Sequence, residues 1–182
     1  KVLEVDAVGL PTERGGRYFY SKRQADQDLA VLYVREGLHG ADRVLIDPHS
    51  LSPDHTTSVG YLDISRDGHL VAYAVRDGGV DEVSIRLHDV ETGQDLDDVL
   101  PPARYGQVNL TPDRAGFYYE RYGDVTPRVM FHVIGTDSST DLQLFGNGYQ
   151  RHHIPVSVLS DDGRWLLVHV IEGSSGPTEI HL

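Results

Sequence analysis

The chain of 182 residues has no cysteine, a single tryptophan, a single methionine and no cluster of lysine and arginine. Without thiols it can form neither a disulfide frame nor a thiolate metal site. The same absence fits a reducing compartment, so a cytoplasmic parent protein is the expectation. No stretch approaches the roughly 18 consecutive apolar residues of a spanning helix, and no membrane partner is expected. The opening Lys1-Val2-Leu3-Glu4 has no apolar h-region or cleavage site and is not expected to be a signal peptide. Against 28 acidic residues stand only 16 lysines and arginines, a net charge of −12. A surface of that sign repels phosphate backbones, which argues against nucleic acid as a partner.

Present instead are short runs of Val, Ile, Leu, Tyr and Phe separated by Gly, Asp, Pro and Asn clusters, the pattern of hairpins. Arg17–Ser21, Val31–Arg35, Leu70–Arg76, Ser84–Asp89, Gly116–Arg121, Val129–Ile134 and Arg164–Ile171 read as strands. Nowhere does apolar spacing hold a helical period for more than about two turns, so helix content is expected to be low.

A repeat runs through these strands. Ser65-Arg66-Asp67-Gly68, Thr111-Pro112-Asp113-Arg114 and Ser160-Asp161-Asp162-Gly163 each precede an apolar strand, at successive offsets of 46 and 49 residues. Gly15-Gly16 precedes Arg17 in the same way, 52 residues before Gly68. A hydroxyl or carboxylate in such a turn bonds the nearby backbone, and glycine tolerates its positive φ. Periods of about 40 to 50 residues with several strands each mark β-propeller blades. The fold expected is therefore all-β, a partial propeller of four-stranded antiparallel blades, about three and a half of them. The blades fall near residues 1–50, 56–100, 104–148 and 152–182, the second strand of each being the most apolar.

Candidate chemistry is sparse. Gly173-Ser174-Ser175-Gly176 is not the Gly-x-Ser-x-Gly elbow of an α/β-hydrolase, so no catalytic residue is assigned. His152-His153 is the one adjacent histidine pair. Neighbours on a strand point to opposite faces, which disfavours joint chelation, so no metal is expected there. His69, His88, His132 and His169 read as surface or blade-interface residues. The acidic groups Asp26-Gln27-Asp28, Asp95–Asp98 and Asp161-Asp162 read as solvated turns rather than calcium loops. No cofactor is expected.

The sequence resembles the propeller domain of the prolyl oligopeptidase family over nearly its whole length. The resemblance rests on Arg14-Gly15-Gly16-Arg17-Tyr18-Phe19-Tyr20, Val31-Leu32-Tyr33-Val34, Val44-Leu45-Ile46-Asp47-Pro48 and Ser65-Arg66-Asp67-Gly68-His69-Leu70-Val71-Ala72-Tyr73. It continues through Asp89-Val90-Glu91-Thr92-Gly93, Phe131-His132-Val133-Ile134-Gly135-Thr136-Asp137 and Ser160-Asp161-Asp162-Gly163-Arg164-Trp165-Leu166-Leu167-Val168. Departures are the short Gly123–Arg128 connection and Ile171-Glu172-Gly173-Ser174, where the family commonly has Arg-Glu-Gly-Cys.

What the resemblance implies is a two-domain serine endopeptidase that cleaves short peptides after proline. Its seven-bladed propeller gates an α/β-hydrolase domain, which is absent from this sequence. By the same resemblance, Tyr105, Ile154 and Ser174 match positions lining the family's substrate pocket, which receives proline-containing peptides beside the hydrolase. Packing between blades is the competing role for Tyr105 and Ile154. The rival functional reading is a free-standing binding module that closes by self-association. Such a homodimer would join its open blade edges, strands after Val156 of one copy meeting Arg17–Ser21 of the other.

Overall fold

The computed structural model describes residues 5–104, 107–122, 126–173 and 176–182, folded into four consecutive antiparallel sheets. Sheet one holds β1 (Ala7–Val8), β2 (Thr12–Arg14), β3 (Arg17–Arg23), β4 (Val31–Glu36) and β5 (Asp42–Ile46). Its inner lane is split, because β1 and β2 pair with opposite ends of β3. Sheet two holds β6 (Ser58–Ile64), β7 (Leu70–Arg76), β8 (Glu82–Asp89), β9 (Gln94–Asp95) and β10 (Ala103–Arg104). Here the outer lane is split, β9 and β10 pairing with opposite ends of β8. Sheet three is β11 (Val108–Leu110), β12 (Gly116–Arg121), β13 (Arg128–Val133) and β14 (Leu142–Phe145). Sheet four is β15 (His153–Leu159), β16 (Leu166–Glu172) and β17 (Thr178–His181). The only helical segments among the described residues are the single turns Pro48–Ser50 and Ser138–Thr140. This is the expected partial propeller: three four-lane blades and a three-stranded fourth.

Burial explains why the second strand of each blade is the most apolar. Successive residues of a strand face opposite ways. Along β7, Val71, Tyr73 and Val75 pack against Phe19, Leu32, Val34 and Ile46 of sheet one. The intervening Leu70 and Ala72 pack against Val108, Leu110, Phe117 and Tyr119 of sheet three. A strand covered on both faces must be apolar on both, and each large side chain so buried contributes about 1.5–3 kcal/mol. The contact of sheet three with sheet four is smaller, centred on Val129, Val168 and Val170.

The repeated turns are built alike. Ser65 Oγ accepts the Leu70 N–H at 2.9 Å and donates to Asp67 Oδ1 at 2.7 Å. Ser160 does the same for the Trp165 N–H at 2.9 Å and Asp162 Oδ1 at 2.7 Å. Arg114, with φ 58°, stands where the other two turns have Gly68 and Gly163 at φ 70°. Its guanidinium reaches Asp67 Oδ2 of the neighbouring blade at 3.1 Å.

Two further repeats hold the blades. The inner strands are tied side by side. Asp63 accepts the Leu110 N–H at 2.7 Å, and Asn109, its counterpart one blade on, accepts the Leu159 N–H at 3.0 Å. Within blades two and three, a carboxylate of the outer lane bonds a tyrosine and a histidine from the inner lanes. Asp95 takes Tyr73 Oη at 2.6 Å and His88 Nδ1 at 2.8 Å. Asp141 takes Tyr119 Oη and His132 Nδ1, both at 2.7 Å.

These networks correct the reading of Asp95–Asp98 as a solvated turn. The Asp98 side chain is buried and reaches His132 Nε2 at 2.9 Å and the Gly135 N–H at 2.6 Å, joining the tail of blade two to blade three. Of the surface and interface roles open to them, His88 and His132 take the buried one.

Candidate functional site

Each blade has two ends. At one lie the repeated turns, at 15–16, 65–68, 111–114 and 160–163. Arg66 from blade two there meets Asp161 from blade four at 2.7 Å. Arg14, Asp63, Arg66, Asn109 and Asp161 line an open polar cavity of about 90 Å³ along the inner strands. Burial raises the Asp63 carboxyl above its ordinary range. The cavity lies at the opposite end of β15 from Ile154.

Of the positions matched to substrate, Ile154 belongs to the other end, where β15 begins and β16 finishes. Ile154 is half-buried near the start of β15 and pairs with Ile171 of β16. It shares a face with Val156, Val158, Leu167 and Ile180, as strand alternation and the pairing register require. Tyr105 and Ser174 lie outside the described residues, so the three are not brought together here.

A polar frame fixes this end. Glu120, near the end of β12, is 0% exposed. Its Oε1 accepts the Ser157 N–H at 2.7 Å and the Ser157 hydroxyl at 2.6 Å, and its Oε2 accepts the Gln107 N–H at 2.9 Å. Burial outweighs these bonds and pushes the carboxyl up to about 7. The Tyr122 hydroxyl donates to the Pro155 carbonyl at 3.1 Å. Together these tie blade three, and the segment resuming at Gln107, to the strand that carries Ile154. Sequence reasoning passed over Glu120, although a carboxylate inside Phe117-Tyr118-Tyr119-Glu120-Arg121 breaks the apolar run and was a readable signal.

The histidine pair departs from expectation. His152 precedes β15 in a turn, so strand alternation does not separate it from His153. The two rings lie 4.2 Å apart, and Glu172 stands opposite His153 across the hairpin. Among the described residues these three side chains are the group that could hold a metal ion.

Among the described residues no nucleophile stands with its base. The surface offers instead an apolar strand face, a rigid polar frame and loops at one end, the means of binding or of positioning a partner domain.

Comparison with known proteins agrees with the fold and its repeats. Residues 1–182 match the family model described as prolyl oligopeptidase, N-terminal beta-propeller domain. The chain is 31% identical to the prolyl endopeptidase of Elizabethkingia meningoseptica, over 96% of its own length and 26% of that protein. It is 28% identical to prolyl oligopeptidase A of Galerina marginata, over 84% of itself and 24% of that protein. It thus spans about a quarter of these curated relatives. A solved chain from a structural and mechanistic study of two prolyl endopeptidases superposes with a TM-score of 0.86 at 30% identity, covering 97% of this chain and 28% of that one. Galerina marginata prolyl oligopeptidase B, bound to a 35mer hydrolysis and macrocyclization substrate, shares the fold with a TM-score of 0.79 at 21% identity, over 97% of this chain and 28% of its own. The chain belongs to the prolyl oligopeptidase family, as sequence of its N-terminal β-propeller domain.

Proposed function

We propose that this chain is part of the propeller that gates substrate entry in a prolyl oligopeptidase-like serine endopeptidase cleaving short peptides after proline. By itself it is non-catalytic, since it has no nucleophile elbow. The observation that carries the reading is the outer face of blade four. Trp165 follows its turn serine by five residues, as Leu70 does in blade two. Leu70 is 5% exposed, packed on the next sheet, whereas Trp165 is 54% exposed. Val158 and Ile180 on that side are exposed as well. A further blade, continuing the ring, supplies the missing cover. The share of the relatives' length that the chain spans supports such a larger parent. Within it, Tyr105, Ile154 and Ser174 wall the pocket for the side chain upstream of proline, with Ile154 at the loop end of the face to be covered.

The product of the complete reading frame is expected to hydrolyse a chromogenic Gly-Pro substrate, with activity abolished by a serine-directed phosphonate. The chain alone is expected to show background hydrolysis. Phosphonate-sensitive cleavage by the chain alone, or a complete product inactive on such substrates, contradicts the proposal.

The same exposed face, with Val8 and Leu10 exposed at the opposite edge, favours a second reading in which two copies close on each other. Sedimentation at rising protein and salt concentration separates the two. A discrete dimer supports self-association, and a persistent monomer excludes it.

A further inference from the structure

The end of blade four carries a cluster that the peptidase reading does not use. His152, His153 and Glu172 each present a ligand atom, and those atoms all lie within 4.8 Å of one another. His152 Nε2 and Glu172 Oε1 are 3.4 Å apart. Two donors on a tetrahedral zinc ion, each about 2.0–2.1 Å from the metal, sit about 3.3 Å from each other. One pair therefore already has ligand spacing, and the third needs a side-chain shift of about 1 Å or a little more.

The backbone beneath the cluster is fixed on both sides. His153 and Glu172 are directly opposite in the β15–β16 ladder, so they share a face. His152 is set by the turn before β15, in which the His153 N–H donates to the Gln150 carbonyl at 3.0 Å. The His152 carbonyl accepts the Gly173 N–H at 3.1 Å, clamping the turn to the far end of β16. The side chains are held too. The Tyr149 ring stands edge-on to His153 at 5.2 Å, and His153 Nδ1 sits against the Gln150 backbone, accepting its N–H at 3.1 Å and lying 3.2 Å from its carbonyl oxygen.

We propose that His152, His153 and Glu172 form a site for one borderline divalent cation, with zinc as the reference ion. Two imidazoles and one carboxylate are the donor set of zinc, nickel and copper, whereas calcium and magnesium require oxygen. Three protein ligands leave one tetrahedral position for water or for a donor from an incoming peptide. The net charge of −12 also favours a cation here.

Calorimetric titration of the metal-free chain with zinc chloride tests this. The expected result is one ion per chain with a dissociation constant below about 100 µM. His152→Ala, His153→Ala and Glu172→Gln are each expected to weaken binding at least about tenfold. His39→Ala, at an exposed histidine elsewhere, is expected to leave it unchanged. Thermal unfolding in chelator identifies any variant that has lost its fold, and the other two then carry the test. Cobalt titration gives a second readout, visible absorption that the same three substitutions remove. Absence of one-to-one zinc binding, binding unaffected in the folded variants, or equal affinity for calcium chloride overturns the proposal.

Discussion

Replacing Asp141 with alanine strikes the most buried of the repeated networks. Its carboxylate accepts from Tyr119 Oη and His132 Nδ1 at 2.7 Å each, and its side chain is only 1% exposed. Alanine leaves the tyrosine hydroxyl and one imidazole nitrogen without partners where water does not reach. Each orphaned buried polar group costs about 1–3 kcal/mol, so the expected loss from the two is about 2–6 kcal/mol. Blade two supplies the internal control. Asp95 makes the same two bonds with Tyr73 and His88, but its side chain is 32% exposed. Water can take its place, and Asp95→Ala is expected to cost about 1–2 kcal/mol. Urea unfolding followed by circular dichroism measures both. Tyr119→Phe combined with Asp141→Ala completes a cycle, with an expected coupling of about 1–3 kcal/mol because the double variant no longer strands the hydroxyl. An Asp141→Ala cost no greater than that of Asp95→Ala, or strict additivity in the cycle, refutes the account of these triads as structural clamps.

Two other outcomes are expected. Gly68 has φ 70°, and a Cβ there would lie 2.6 Å from the Arg14 carbonyl oxygen of the neighbouring turn, whereas Gly93 at φ 68° faces open space. Gly68→Ala should therefore lower stability by about 2–4 kcal/mol and Gly93→Ala by about 1, so equal melting temperatures would refute the inter-turn contact. The Glu120 carboxyl, raised from 4.5 to about 7 by burial, keeps in the folded state a proton that the unfolded chain releases. Its stabilising contribution is complete below about pH 4.5 and lost as pH rises through about 7, a change of about 3 kcal/mol. Glu120→Gln should flatten the fall in melting temperature between pH 5 and 8, and an unchanged slope would count against a proton on Glu120.

The blade pattern was readable because it rests on local chemistry. A serine or threonine, an aspartate and a glycine at fixed offsets make the same turn wherever they occur, and two-sided burial enforces apolar strands. The pieces that escaped depend on distant pairing. Val108–Leu110 is too short to announce itself, and the split lanes arise from irregular pairing with β3 and β8. The Tyr73–His88–Asp95 and Tyr119–His132–Asp141 triads each draw on three strands, so no local window contains them. Asp98 looked like one more acidic turn residue until His132 was seen to face it. His152 and His153 were separated by a strand rule that stops applying one residue before the strand begins. Of the matched pocket residues, Ile154 was placed by its strand.

The central claim is that the outer face of blade four is covered by more propeller. Hydroxyl-radical footprinting, resolved to Trp165, tests it most directly, since that indole is 54% exposed in this chain. Trp165 is expected to be oxidised readily in the dilute isolated chain and to be protected severalfold in the product of the complete reading frame. Equal oxidation of Trp165 in both would contradict the account.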